Sequence, residues 1–532
     1  MASIRRFFTR KLYPNVRRTL CLLTSALLMC CALPAEASNV DTELVVGIQS
    51  SKTFSLRPLE PLERDFMSIY DLMYDGLMTI NDDYLPECDL AEEYECTNNG
   101  KTWTFRLKED LVFADGTPVT AYDVAATGQW ILNKANSEGG ATNFYSNLKY
   151  FVDSITAKDN LTVVVKAERA YYGLLYAMTF PVLPAWAVDT ENPPGTGAYI
   201  CGSFLPGNTM ELIPNPYWSE GQPQVTNITF VMHKKASEVI DAYEYARVDT
   251  IFTRSISSAQ YKGGISSLAL DYRTNQLECL LMNHSSFPTN QKHVRQAIRY
   301  LVNIDKIASS IYNGMVERTN TPFVNGTWMY NDSVASYFRN DPAKALALLE
   351  ENGWFDVDED GILERPNDDG EFVELAIDLT VYEEPDDDVR LETANYIADT
   401  LNSYGFSVTV ITKKFSEVQE NLSVGNFDMC LASYAMDPCP DAGFMLMSGN
   451  TGNYSRYRSS DMTDLCKSLR SKVTREDYQE ALHKIQMQFA EDCPFLCLFY
   501  RSGTVLTRRM YTVTRDVREY SLLKGIDTFR SD

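Results

Sequence analysis

The sequence is poor in the residues that metal and hydrolytic chemistry usually require. Only four histidines occur in 532 residues. They are His233, His284, His293 and His483, widely spaced and without an H-E-x-x-H pair, which excludes a zinc-hydrolase helix. No G-x-S-x-G elbow is present, and local sequence suggests no Cys–His pairing. Basic residues are also scarce: 48 Lys plus Arg stand against 72 Asp plus Glu, a formal charge of −24. That balance excludes wrapping of nucleic acid, which needs clustered cations. After the first 37 residues no run approaches ~18 apolar residues, so no membrane-spanning helix is expected there. Long polar tracts and internal repeats are absent too. The chain is therefore globular, and its length predicts two or three lobes.

The N-terminus is built differently. Arg5, Arg6, Arg10, Lys11, Arg17 and Arg18 precede a short apolar run, Leu20 to Leu33, and Ala35-Glu36-Ala37 has the small-x-small form of a signal-peptidase site. The pattern predicts an export leader over residues 1–37 and a protein of the periplasmic space or the outer face of the cell membrane. The alternative is a lipid anchor at Cys30 or Cys31. Nine cysteines lie beyond the leader: 88, 96, 201, 279, 430, 439, 466, 493 and 497. An odd number leaves at least one thiol unpaired or bonded to another chain. Buried free thiols are the expected state, with Cys88–Cys96 as a candidate local bridge.

Hydrophobic periodicity predicts an α/β chain. Glu43–Ile48, Trp103–Leu107 and Leu161–Val165 read as strands. Val294, Ala297, Ile298, Leu301 and Val302 fall on one helix face. Asp341-Pro342 opens a further helix that Gly353 ends. Glu374–Tyr382, Val389–Tyr404 and Phe406–Thr412 form a βαβ unit, with Gly405 as the helix stop. A further strand is expected over Phe427–Tyr434 and a helix over Glu476–Glu491.

Several stretches look chemical and have a structural reading. Asp115-Gly116-Thr117-Pro118 predicts a turn, and Thr120 with Asp123 a capping box. Asp356-Val357-Asp358-Glu359-Asp360-Gly361 begins like a calcium loop, but Asn367 occupies the position where a bidentate Glu is needed, so an acidic turn is expected. Asn99-Gly100-Lys101-Thr102 lacks the first glycine of a phosphate loop and precedes a strand rather than a helix. Pro193-Pro194-Gly195-Thr196-Gly197 is a breaker cluster where the chain is expected to cross between lobes.

An ordered series of motifs carries a family resemblance. Tyr74-Asp75-Gly76-Leu77, Leu90-Ala91-Glu92-Glu93-Tyr94, Trp103 through Val124, Gly195-Thr196-Gly197-Ala198-Tyr199, Asn215-Pro216-Tyr217-Trp218 and Val294-Arg295-Gln296-Ala297-Ile298 follow one another down the chain. Together they resemble the family 5 extracellular solute-binding proteins, the oligopeptide and dipeptide receptors of ABC importers. The resemblance implies a two-lobed periplasmic-binding-protein type II-like fold with an extra subdomain. Lobe I would comprise 38–74, 195–275 and 500–532, the extra subdomain 75–194, and lobe II 276–499. It further implies a monomeric, non-catalytic receptor without a resident cofactor, working with an ABC permease and ATPase complex and closing on a small, oligopeptide-like solute. A nickel-chelate branch of the family has nothing in this sequence to favour it. A surface sensor, an oligosaccharide or modified-peptide binder, and a secreted hydrolase are the alternatives.

The same resemblance supplies candidate ligand contacts. Ser433-Tyr434-Ala435-Met436-Asp437-Pro438 resembles the family's "A-D-Y-x-D-P", whose first Asp meets the ligand's α-ammonium. Anchored on the Pro, that position is Tyr434, and Asp437 matches the second acid. A desolvated ammonium needs a partner, so Asp437, Glu63 or Asp441 must replace it or the ligand lacks a free N-terminus. Glu63 and Arg64, ahead of Tyr74, would form the opposite wall. Among the aromatics Phe144, Tyr145, Tyr171, Tyr172 and Trp186, most are expected in the core and some, Tyr145 included, at the cleft.

Overall fold

Alternating apolar residues become the central strands of the protein. Leu44, Val46 and Ile48 are fully buried on Glu43–Gln49, which pairs in parallel with Asn227–His233 over its whole length. The structure, a computed structural model, describes residues 43–50, 55–60, 64–137, 145–262, 267–367, 369–384, 388–508 and 517–523. The leader with Cys30 and Cys31, together with Glu63 and Phe144, lies outside the described residues. Among the described residues no helix is long and apolar enough to cross a membrane.

One large mixed sheet organises the chain. Its strands run in the order Ser407–Lys413, Ala376–Tyr382, Met429–Ala435, Leu268–Met282, Phe495–Thr507, Thr250–Thr253, Glu43–Gln49, Asn227–His233, Thr209–Pro214 and Tyr199–Leu205, with Val316–Arg318 added to Phe495–Thr507. The two long strands, of 15 and 13 residues, serve both halves of the sheet. Gln276–Met282 pairs with Met429–Ala435 on one side. Thr504–Thr507 pairs with Thr250–Thr253 on the other. Between the long strands themselves the register slips from Arg273 to Leu277 and again from Glu278 to Cys279. Such irregularities bend a strand and re-aim its side chains.

The predicted βαβ unit is present. Ala376–Tyr382 and Ser407–Lys413 are parallel, joined by the helix Val389–Asn402, and Gly405 has φ +88°. The first strand starts two residues later than its sequence suggests, because Phe372–Glu374 pairs with Glu364–Pro366 in a separate hairpin. Helix Lys292–Leu301 buries Val294, Ala297, Ile298 and Leu301 against this unit. Asp341 caps helix Pro342–Glu351 by accepting from Lys344 N at 3.0 Å.

A second, four-stranded sheet orders Ala91–Thr97, Thr102–Leu107, Thr162–Ala167 and Val152–Ala157. Helix Ala121–Asn136 packs on it. The capping box forms: the Asp123 carboxylate accepts from Thr120 N at 2.8 Å. Asp115 Oδ1 accepts from Thr117 N at 2.9 Å and Gly116 takes φ +82°, so this stretch shapes the chain.

The acidic loop is more convergent than an ordinary turn. One oxygen from each of Asp356, Asp358, Asp360 and Glu364 comes within 4.8 Å of the others. The Asp356, Asp360 and Glu364 oxygens accept from the amides of Gly361, Ile362 and Val357, which fold the turn around them.

Gly195 and Gly197 are required by a close backbone approach. A Cβ at Gly195 would sit 2.0 Å from the Met73 carbonyl oxygen, and one at Gly197 2.6 Å from that of Leu72. Because backbone atoms cannot swing away, Gly195→Ala is expected to cost about 2–3 kcal/mol. Urea unfolding followed by fluorescence would show the lower midpoint.

Candidate functional site

The glycine approach brings two separated motifs together. Gly197 N donates to Met73 O at 3.0 Å, Asp75 N donates to Thr196 Oγ1 at 3.2 Å, and Tyr74 OH donates to Pro193 O at 3.0 Å. Tyr74-Asp75-Gly76-Leu77 is thereby pinned at the edge of a cavity of about 330 Å³. Its walls come from Met67–Asp89, from Pro322–Met329 and from Met436–Pro440, with Arg273, Asn275 and Tyr500 contributed by the two long strands.

The lining is charged. Asp71, Asp75, Asp89, Glu220 and Asp437 face the cavity together with Arg273 and Arg518. Burial pushes the Asp75 carboxyl up to about 6; the Thr196 hydroxyl works against that rise and Asp71 adds to it. Burial, with the neighbouring Asp75, also pushes Asp89 well above the carboxylate range. Asp437 is raised by burial against the donors that favour its ionised form. These donors, Cys439 N at 2.8 Å and Asn147 Nδ2 at 3.0 Å, are both neutral. Asp437 and Asp71 are exposed and line the cavity. Carboxyl groups gathered around one cavity in this way favour a cation among them.

Arg273 provides the opposite charge. Its guanidinium lies 4.3 Å from the centre of the Tyr84 ring and 5.5 Å from that of Tyr500, and it pairs with Glu317 at 3.5 Å. Arg518 holds the carbonyls of Ile80 and Asn81. Glu519 pairs with Arg254 at 2.9 Å.

The residues singled out from sequence fall into different places. Tyr145 and Asp437 line the cavity. Tyr434 does not: its ring packs with Phe444, Tyr454 and Phe495, and its hydroxyl donates to Gly452 O at 2.9 Å. Ser433 accepts from Gln276 Nε2 at 3.2 Å on the strand and is not in the lining. Arg64 begins the helix Arg64–Tyr70. Asp441 is already paired, to Arg470 Nε at 2.7 Å and to Tyr171 OH at 2.8 Å. Trp186 is on the surface, whereas Tyr171 and Tyr172 pack on Tyr478. No motif marks Asp89 or Arg273, and for the charge role of Asp75 the Tyr74-Asp75-Gly76-Leu77 motif is the available signal.

Tyr171, Asp441 and Arg470 also tie the four-stranded subdomain to the segment after Met429–Ala435. Asn147–Asp437 and Tyr172 N to Lys472 O at 2.6 Å reinforce this contact. Asp441→Asn leaves Arg470 without its charge partner, at a cost of about 1–3 kcal/mol. The expected outcome is a ligand-free protein with a larger radius of gyration in small-angle X-ray scattering.

None of the four histidines lines the cavity. His284 contacts Pro494 O at 2.9 Å, and His293 accepts from Trp354 Nε1 at 3.0 Å.

A cavity lined by both charge signs, beside two strands shared by both halves of one sheet, suits the binding of a small charged solute. The chain belongs to the bacterial extracellular solute-binding proteins, family 5, whose family model matches residues 86–456. It is 23% identical over 443 residues to a protein of Escherichia coli described as "Probable D,D-dipeptide-binding periplasmic protein DdpA", covering 78% of this chain and 79% of that one. It is also 23% identical to the oligopeptide-binding protein AppA of Bacillus subtilis over 86% of each. The solved structure of AppA in complex with a nonapeptide superposes with a TM-score of 0.67, over 92% of this chain and 99% of that one. The substrate-binding protein CtaP of Listeria monocytogenes shares the fold at a TM-score of 0.77 and 20% identity, over 92% of this chain and 99% of that one.

Proposed function

We propose that this chain is the exported, non-catalytic receptor of an ABC importer and that it captures a short peptide-like solute for delivery to a membrane permease and its ATPase. The observation that carries this reading is the cavity's charge arrangement. Asp437, Asp75 and Asp89 suit an ammonium group, and Arg273 suits a carboxylate. Both are present on a free peptide. The volume of about 330 Å³ lies at the low end of the ~300–1,000 Å³ typical of small-molecule sites, which supports a solute of few residues. Relatives described as dipeptide- and oligopeptide-binding support the same class.

In this reading lobe I is 38–74, 195–275 and 500–532, with the extra subdomain at 75–194 and lobe II at 276–499. The lobes pivot where the long strands slip register, near Arg273–Leu277. Ligand that touches both lobes stabilises the closed state. An oligosaccharide would bring no positive charge for these carboxyls to meet.

Calorimetric titration of the purified protein with di- to hexapeptides tests this. Binding of short peptides that is lost on N-acetylation is expected. Failure of all peptides, with a hit for an oligosaccharide, would retire the assignment.

A further inference from the structure

The two long strands carry a pair of thiols that the receptor function does not use. Cys279 and Cys497 are direct partners in the antiparallel register between them. Facing residues in such a ladder have Cα atoms ~4.5–5.5 Å apart, inside the ~4.4–6.8 Å span of disulfides. Both side chains belong to the same apolar core, with 0% and 1% exposure, and both are free thiols in this structure. The other strand cysteines face different residues: Cys88 faces Met78, Cys96 faces Trp103, Cys201 faces Leu212 and Cys430 faces Leu281.

We propose that Cys279 and Cys497 form a disulfide that joins the two long strands when the chain folds outside the cytoplasm. The family is one of extracellular proteins, and disulfides persist in such compartments. The oxidant is a disulfide, carried by an exported thiol–disulfide oxidoreductase or a small molecule. The Cys279 thiolate attacks it and releases one thiol. The Cys497 thiolate then attacks the Cys279 sulfur of the mixed disulfide and releases the second. Two protons and two electrons leave the cysteines, and the incoming disulfide is reduced to two thiols. Exchange occurs before the strands close, since the folded core shields both sulfurs. The bond fixes the register slip between Glu278 and Cys279, and neither cysteine lines the cavity.

The test is to refold the full chain in a mixture of oxidised and reduced glutathione, denature it, alkylate free thiols and digest without reductant. A cross-linked peptide containing Cys279 and Cys497 is expected in most molecules. Reduction of that protein should lower its melting temperature by roughly 5 °C, and Cys279→Ala should abolish this difference while Cys88→Ala/Cys96→Ala keeps it. Alkylation of both Cys279 and Cys497 in the refolded, unaltered chain would overturn the proposal, whether or not the variants fold.

Discussion

Glu278→Gln is expected to be among the most destabilising single changes in this protein, at about 3–5 kcal/mol. Glu278 is almost wholly buried on the long strand Leu268–Met282. Its carboxylate accepts from Arg390 Nη1 at 2.7 Å and Nη2 at 2.9 Å. Arg501 Nε, from the other long strand, donates to it at 2.7 Å. Glu384 receives both arginines in turn, so two carboxylates balance two guanidinium groups. Removing one charge leaves a buried excess cation that cannot reach water, which is why the loss exceeds that of a hydrogen bond. Burial alone would raise the Glu278 carboxyl, but Arg390 and Arg501 outweigh it and hold it below its ordinary value. A depressed carboxylate stabilises the fold above its unfolded pKa and ceases to do so as pH falls through the folded value. Urea unfolding should show the wild-type advantage over Glu278→Gln intact at pH 7 and shrinking as the pH falls below about 4.5. An unchanged unfolding midpoint in Glu278→Gln would refute this account.

How much of this was legible in advance depended on how local each cause is. Caps and breakers are local, so Thr120–Asp123, Asp341-Pro342 and Gly405 announced their helix boundaries. The Arg390–Glu278 tetrad is not: its members are scattered between 278 and 501 and carry no motif. Tyr434 shows a finer difficulty. Motif alignment led to the segment that borders the cavity but could not choose the face. On a strand successive side chains alternate sides, and Tyr434 faces Leu277 in the core. Asp437 lies beyond the strand's end, where the chain has turned into the lining. In the acidic loop Asn367 stands at the twelfth position, while Glu364 at the ninth is the side chain that converges with the aspartates.

Asp75→Asn and Asp437→Asn should each weaken binding of a free peptide by roughly 30-fold or more, as expected when one partner of a desolvated charge pair is removed at about 2–5 kcal/mol. The two variants should part company in the absence of ligand. Burial raises the Asp75 carboxyl to about 6, the Thr196 hydroxyl and the more distant Lys108 offset only part of that rise, and Asp71 adds to it. A carboxyl whose folded pKa lies above its unfolded value holds its proton more tightly when folded, so its stabilising contribution is complete below about pH 4 and is lost as pH rises through 6. At pH 7 the ligand-free protein therefore bears a cost that Asp75→Asn removes, and that variant should melt higher than wild type. For the ligand the sign reverses. An ammonium group needs Asp75 ionised, so affinity should rise between pH 5 and pH 7 in wild type and lose most of that slope in Asp75→Asn. Calorimetry across this range, paired with thermal melts of the ligand-free proteins, reads both. A residue with only a structural role would weaken stability and binding together, whereas higher stability with weaker binding identifies a carboxylate kept under strain for the solute.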